Sequence, residues 1–361
     1  MENIGINKRD IALDVTKGLA ITLVVFIHVV QSYVGNWSAL THIWYWEADH
    51  YFIMPLFIFI SGYLALSKPD FKMIQRRSQQ LIPPYIVWSI ILYFFSSFVS
   101  FGFLIRSNLI KTLLYDIWTL NPSSIWFLPA LLGLCFILYL TRGKPWAMLI
   151  AILAIYGLSQ IPWPTAINNI HIPKTTWFST LAWFMPFFTG GYFISKYREK
   201  LHRLRFAKWF CLVAFPVFFL LGRNLIDNAS LFSWPGIFAT RGEMITGFYM
   251  FSMALLGTGM AFSLADLLAR VVVIRRPLQY LGGITLGIYC SHPLFLTLGI
   301  GSGIVRILLT TLVAISLSIP LIWVLQRSRI TNYLFLGGGQ KLFSRKIITQ
   351  ETPAPTTAIK G

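Results

Sequence analysis

Long apolar runs separated by short polar segments set the hydropathy pattern of this sequence. A run of about 20 apolar residues is long enough to cross the hydrocarbon core of a bilayer as an α-helix. The alternating segments of about ten residues that are typical of outer-membrane barrels are absent from the sequence. The pattern predicts an all-α fold, a polytopic integral membrane bundle of about ten transmembrane helices, over residues 11–34, 49–67, 82–104, 124–141, 146–162, 178–196, 206–223, 244–268, 279–299 and 303–326.

Composition and charge agree with this class. Hydrophobic residues make up 56% of the chain and charged residues only 12%, about half the charged fraction of an average soluble domain. The net charge of +18 comes from basic residues that lie between the apolar runs, so we expect contact with membrane lipid and no nucleic-acid partner. Most Lys and Arg residues fall on one side if the amino terminus is cytoplasmic. The positive-inside rule therefore predicts that both termini are cytoplasmic.

Two regions follow from this reading. Residues 1–330 form the predicted transmembrane domain, and residues 331–361 form a predicted cytoplasmic tail that is partly disordered. The tail is basic and then rich in Pro and Thr, which predicts disorder from about Thr349. None of the three cysteines belongs to a spaced metal-binding motif, so no metal is expected.

The first apolar run contains three ionisable residues, Asp14, Lys17 and His28. Lys17 and His28 are eleven positions apart, which places them on one helix face and about 16 Å apart along the axis. Asp14 can pair with Lys17 on the same face because the two are three residues apart. An imidazole at this depth is costly in lipid and should face the bundle interior, as a catalytic or substrate-contacting group or as a structural histidine bonded to a neighbouring helix.

A basic segment precedes the third apolar run and contains Arg76, Arg77 and Gln80. Ordinary positive-inside anchoring with lipid-phosphate contact explains the two arginines. The sharper hypothesis is a clamp on an anionic cofactor, because a guanidinium binds phosphate through paired donors.

Four further residues are candidates for substrate contact. Trp126 opens the fourth run, where aromatic-belt anchoring is the alternative explanation. Glu243 ends a long external segment whose aromatic and polar residues would suit a sugar, although exposed loops are often polar for no such reason. Tyr289 and His292 share a face in the ninth run, and His292 either lines the same cavity as His28 or makes a core hydrogen bond before Pro293.

Taken together, these motifs resemble the membrane-bound acyltransferase family 3, which includes bacterial glycan O-acetyltransferases. The matching elements occur in order over about four fifths of the chain. They are Asp14, Lys17, Gly18 and His28; Pro55 to Tyr63; Arg76, Arg77, Leu81, Pro84 and Tyr85; Trp126 to Leu128; and Leu286 to His292. The chain departs from the family at Gln80, where many members carry a further arginine; glutamine can donate to a phosphate but brings no charge.

The resemblance implies an integral membrane O-acyltransferase that moves an acyl group, most often acetyl, from cytoplasmic acyl-CoA to a hydroxyl of a cell-envelope glycan or lipid-linked sugar. It implies a multi-pass protein of the bacterial inner membrane. The resemblance implies that His28 is the catalytic base and that Asp14 and Lys17 also belong to the catalytic group. Arg76, Arg77, Gln80 and Lys17 bind the acetyl-CoA phosphates.

Two other classes stay open on the sequence. A transporter or exporter of a glycan or small molecule would use His28 and His292 to relay protons or to line a substrate path. A scaffold for envelope assembly would leave the buried histidine and the basic pair without a purpose. Bound acetyl-CoA would separate an enzyme from an exporter.

Overall fold

The computed structural model describes residues 11–35, 40, 43–65, 69–101, 125–161, 166–167, 170–171, 177–197, 200, 207–222, 241–299 and 302–338. The helices in these ranges are α1 Ile11–Val34, α2 Trp44–Tyr63, α3 Phe71–Phe101, α4 Phe127–Leu140, α5 Pro145–Ser159, α6 Trp177–Lys196, α7 Ala207–Gly222, α8 Arg241–Leu268, α9 Val272–Gly283, α10 Thr285–Ser291, α11 Gly303–Leu325 and α12 Arg329–Leu336. A 3₁₀ turn, His292–Phe295, follows α10. The β-structure in the described residues is one short antiparallel pair, β1 Ala166–Ile167 and β2 Ile170–His171.

The all-helical prediction is therefore confirmed for the described residues, apart from that short pair. Three of the described helices, α1, α8 and α11, are long and apolar enough to cross a membrane by length and composition. Three shorter helices, α4, α5 and α7, are also apolar. The count of about ten spans and the cytoplasmic placement of both termini stay predictions, and the predicted disorder from Thr349 lies outside the described residues.

Large apolar side chains cover the outer surfaces of several helices. On α5, Leu149, Ile150 and Leu153 are each more than half exposed. On α7, Leu220 and Leu221 are about 70% exposed. Such surfaces are unfavourable in water and suit contact with lipid tails, so the perimeter agrees with an integral membrane protein.

Helix α1 lies inside the bundle, in contact with α2, α8, α9, α10 and α11. Its crossing with α9 is close because glycines occupy the contact. A Cβ atom on Gly18 would overlap the Leu278 carbonyl, and a Cβ on Gly282 would overlap the Asp14 carbonyl. Small residues allow this approach of two backbones, and the crossing places Asp14 and Lys17 against α9.

A second close crossing joins α2 and α6. A Cβ on Gly62 would overlap the Phe188 carbonyl, and a Cβ on Gly191 would overlap the Phe59 carbonyl. The missing side chains of these two glycines let the backbones of α2 and α6 approach closely. The crossing fixes the end of α2 that carries Ser61.

The predicted ninth span, residues 279–299, is not one continuous helix. The chain breaks at Ile284, whose backbone leaves helical geometry between α9 and α10. After α10 the 3₁₀ turn begins at His292, where Pro293 cannot supply the next backbone donor. This interruption gives α10 a direction of its own and places Tyr289 and His292 beside α1.

Helix α12 closes one side of the bundle by packing against α3. The indole Nε1 of Trp88 donates to the Phe335 carbonyl at 3.0 Å, and the two rings meet edge to face. The helix ends at Gly337, which has a left-handed φ of +68° and lies against the Gln80 backbone. A side chain at position 337 would be strained and would collide with α3.

Candidate active site

A cavity of about 320 Å³ opens between α1, α2, α3, α4, α9, α10 and the end of α12. Its wall is mostly apolar and carries a few polar groups, which is typical of small-molecule sites. The polar groups are Lys17, Arg77, Gln80, Ser61, Thr285 and Tyr289. The cavity therefore gathers residues from the first, second, fourth and ninth apolar runs of the sequence and from the basic segment that precedes the third.

The charged end of the cavity is formed by α1 and α3. Lys17 Nζ lies 2.7 Å from Asp14 Oδ1, so the predicted pair forms. The Asp14 side chain is 7% exposed and the Lys17 side chain 23%, which leaves the ammonium the more accessible partner. Arg77 Nη1 lies 3.4 Å from Gln80 Oε1, at the long limit of a hydrogen bond, so the guanidinium keeps donors for another acceptor.

Tyr289 connects this cavity to a pair of histidines. Its hydroxyl oxygen lies 3.4 Å from the Phe127 backbone nitrogen, which donates to it, and its ring lines the cavity. The Tyr289 ring centroid lies 6.2 Å from that of His292. His292 is fully buried, and its Nε2 lies 2.7 Å from Nδ1 of His28. His28 is half-buried and so keeps accessible surface.

Helices α1 and α10 share one arrangement. Each carries a residue that lines the cavity and a histidine farther along the same face. On α1 the cavity residue is Lys17 and the histidine is His28, eleven positions later. On α10 Tyr289 lines the cavity, and His292 follows three positions later at the start of the 3₁₀ turn. The histidine pair thus lies beyond the cavity lining, about one helical turn from Tyr289 and about three turns from Lys17.

Helix α2 adds a third histidine to this region. His50 lies four residues before the cavity-lining Met54, on the same face, and is within electrostatic range of His28. The His50 ring stacks on Trp46 with centroids 4.4 Å apart. Among the described residues, no group of three or more His, Cys, Asp and Glu side chains is arranged to hold a metal ion.

Six of the predicted site residues do not line this cavity. Asp14 pairs with Lys17, and His28 and His292 bond to each other beyond Tyr289. The remaining three, Arg76, Trp126 and Glu243, lie elsewhere. Arg76 is exposed, whereas its neighbour Arg77 lines the wall. Trp126 stacks on Phe184 of α6 with centroids 5.4 Å apart, a packing role within the bundle. Glu243 lies exposed in the first turn of α8. The structure thus brings together Asp14, Lys17, Arg77, Gln80, Tyr289, His292 and His28, and places the other three elsewhere.

Comparison with known proteins agrees with the resemblance. The acyltransferase 3 family, described as an acyltransferase domain, matches residues 10–332. The chain belongs to this family. It is 33% identical over 131 residues to the nodulation protein NolL of Mesorhizobium japonicum, 34% of each chain. It is 37% identical over 91 residues to NolL of Sinorhizobium fredii, 23% of this chain and 24% of that one. The chain thus matches about a third or less of the length of these curated relatives, and no solved structure matches.

Three residues in or near the cavity are not identified by the sequence patterns. The first is His50, which precedes the Pro55 to Tyr63 motif. It is four residues before Met54, a spacing that places both side chains on one face of α2. Thr285 was read as part of one long span, and its place at the cavity follows from the break at Ile284. Gly337 falls in the region predicted as tail, and the pattern of α12 carries no sign that it returns to α3.

Proposed function

We propose that this protein is an integral membrane O-acyltransferase that moves an acyl group, in the first instance acetyl, from acyl-CoA to a hydroxyl of a cell-envelope glycan or lipid-linked sugar. One observation carries the proposal. Lys17, Arg77 and Tyr289 line one cavity, and the Tyr289 ring lies 6.2 Å from that of His292, which is hydrogen-bonded to His28. Membership of the acyltransferase family supports it.

The charged end suits the anionic part of the donor. The Arg77 guanidinium offers paired donors to a phosphate, and the Lys17 ammonium adds a positive charge. Gln80 can donate to a phosphate or carbonyl without charge. Under the positive-inside orientation this end is cytoplasmic, where acyl-CoA is found. The distance of about 16 Å from Lys17 to His28 along α1 is comparable with an extended pantetheine arm.

The deeper end suits the chemistry. A neutral His28 imidazole takes the proton of the acceptor hydroxyl while the hydroxyl oxygen attacks the thioester carbonyl. The carbon–sulfur bond breaks, the new carbon–oxygen bond forms, and the proton passes from His28 to the departing thiolate. Atoms and charge balance with no further reactant. The apolar wall excludes water, which would otherwise compete as an acyl acceptor.

An exporter is the second candidate, because one observation favours it. The break at Ile284 interrupts a helix beside the cavity, and interrupted helices form substrate sites in many transporters. An exporter would use His28 and His292 to carry protons and would have no need of bound acyl-CoA.

The deciding experiment uses the purified full-length chain in lipid nanodiscs with acetyl-CoA labelled in the acetyl group. We expect binding, and transfer of label to a glycan or lipid-linked sugar fraction from the parent envelope. Mass analysis of envelope glycans from cells with and without the gene should show a lost acetyl increment. An unchanged glycan mass together with no acetyl-CoA binding would refute the enzyme and leave the exporter.

A further inference from the structure

The rings of His28 and His292 form a planar hydrogen-bonded pair. Nδ1 of His28 and Nε2 of His292 are 2.7 Å apart, the ring planes differ by 4°, and the centroids are 5.0 Å apart. Centroids at that separation with nitrogens in contact place the two rings edge to edge in one plane, where an N–H points directly at a lone pair. One of the two nitrogens must donate and the other must accept.

A second hydrogen bond decides which nitrogen donates. Nδ1 of His292 lies 2.9 Å from the Ile288 carbonyl oxygen. A carbonyl oxygen only accepts, so Nδ1 of His292 carries a proton. In a neutral ring the other nitrogen, Nε2, is then an acceptor. Nδ1 of His28 must therefore be the donor, which leaves Nε2 of His28 with a lone pair.

The surroundings of the two rings favour donation from His28 to His292 and from His292 to the Ile288 carbonyl. His292 is 0% exposed, so no bulk water competes for either of its nitrogens. The Ile288 carbonyl, one turn earlier, also accepts from the backbone N–H of His292, and its second lone pair is available to Nδ1–H of the same residue. No hydrogen bond within the described residues engages Nε2 of His28, whose side chain keeps accessible surface. Both ring nitrogens of His292 are occupied, so His292 is not itself available as a base.

We propose that His292 is a positioning residue that holds His28 as the Nδ1–H tautomer and so presents its Nε2 as the base. This inference rests on the proposed acyl transfer for its catalytic meaning. In water, neutral histidine favours the opposite form, with the proton on Nε2, and that form could not accept a hydroxyl proton through Nε2. In many enzymes a carboxylate holds the catalytic histidine in the correct tautomer. Here the neutral imidazole of His292 has that role.

The tautomer can be measured without any assay of activity. The full chain labelled with ¹⁵N-histidine is placed in nanodiscs, and solid-state NMR correlates each ring nitrogen with its proton. The chain has six histidines, so the His28 signals are assigned by their loss in His28→Gln. We expect His28 to be protonated at Nδ1 and bare at Nε2 in the wild type. In His292→Phe, which removes the acceptor, we expect the His28 proton to move to Nε2.

Three variants at one position give the matching kinetic test. The amide of His292→Gln reaches about the position of Nε2 and can accept from His28. The amide of His292→Asn reaches only about the position of Nδ1, so it keeps the bond to Ile288 and loses the acceptor. We expect Gln to retain kcat within about tenfold, and Asn and Phe to lose at least about 100-fold, as wrong-tautomer variants of base–orienter pairs do. KM for the acyl donor should stay within a few fold in all three.

The outcomes separate the two proposals. A wild-type His28 that carries its proton on Nε2 overturns the positioning role, whatever the activity. The predicted tautomer combined with equal kcat in Gln, Asn and Phe also overturns it, because the tautomer would then have no catalytic consequence. If the wild type shows the predicted tautomer but neither binds acetyl-CoA nor transfers acetyl, the proposed function fails while the hydrogen-bond assignment stands.

Discussion

The backbone of Gly18 on α1 lies directly against the carbonyl of Leu278 on α9. The contact leaves no room for a side chain, and Gly282 makes the reciprocal contact with the Asp14 carbonyl one turn away along α9. Because Lys17 precedes Gly18 and lines the cavity, this crossing sets where the ammonium sits. A small-residue contact thus supports the charged end of the site.

We expect Gly18→Ala to destabilise the protein by about 1–3 kcal/mol, because the new methyl group meets backbone atoms that cannot rotate away. The measurement is the midpoint of thermal unfolding of the purified protein. Gly157→Ala on α5 is the matched control, since a Cβ there meets nothing within 4 Å. Alanine should stabilise that exposed helix slightly, by about 0.5–1 kcal/mol. Equal midpoints for the two variants would refute the close crossing.

The Asp14–Lys17 pair should behave as a unit. Asp14→Asn leaves the Lys17 ammonium without its partner in a largely buried place, and we expect a loss of about 3 kcal/mol in the free energy of unfolding. The double variant Asp14→Asn/Lys17→Met removes both charges and should recover most of that loss. The measurement is a double-mutant cycle by denaturant or thermal unfolding. Additive effects of the two single changes would show that the pair is not coupled in the bundle.

The adjacent arginines Arg76 and Arg77 should differ in their effect on donor binding. Arg77→Gln removes a guanidinium from the cavity wall, and a lost charge-assisted hydrogen bond of about 1.5–3 kcal/mol raises the acetyl-CoA dissociation constant by about tenfold or more. Arg76→Gln changes an exposed side chain and should alter the constant by less than about threefold. Isothermal titration with acetyl-CoA measures both. Equal weakening by the two variants would place the anion on the surface rather than in the cavity.

The His28→Ala variant should lose acyl transfer by about 10²- to 10⁴-fold while expression and membrane insertion stay normal, because a general base contributes about that much. Acetyl-CoA binding should persist, because the proposed phosphate-binding residues Lys17 and Arg77 are separate from His28. Leu153→Ala on the exposed surface of α5 serves as a control that keeps full activity. Transfer above about a tenth of the wild-type rate in His28→Ala would contradict the base role.

Much of the site was predictable because helical spacing is rigid. The face shared by Lys17 and His28 follows from the regular rise and rotation of α1, and so does the Asp14–Lys17 pair. The close approach at Gly62 was also predictable, since a small residue in an apolar run has few other uses. The roles assigned to Trp126 and Glu243 depended on which side of a helix or loop faces a shared cavity, and the structure places both residues outside the one described here.

Hydropathy and the geometry of a single helix are enough to predict the class of the protein, the apolar helices and the face on which His28 lies. The packing of the helices shows in addition that Arg77 rather than Arg76 lines the cavity, and that Gly337 lies against Gln80. It also shows that His292, 264 positions from His28, bonds to it. Contacts between helices depend on crossing angles, on close glycine contacts and on the break at Ile284, and a linear pattern carries none of these.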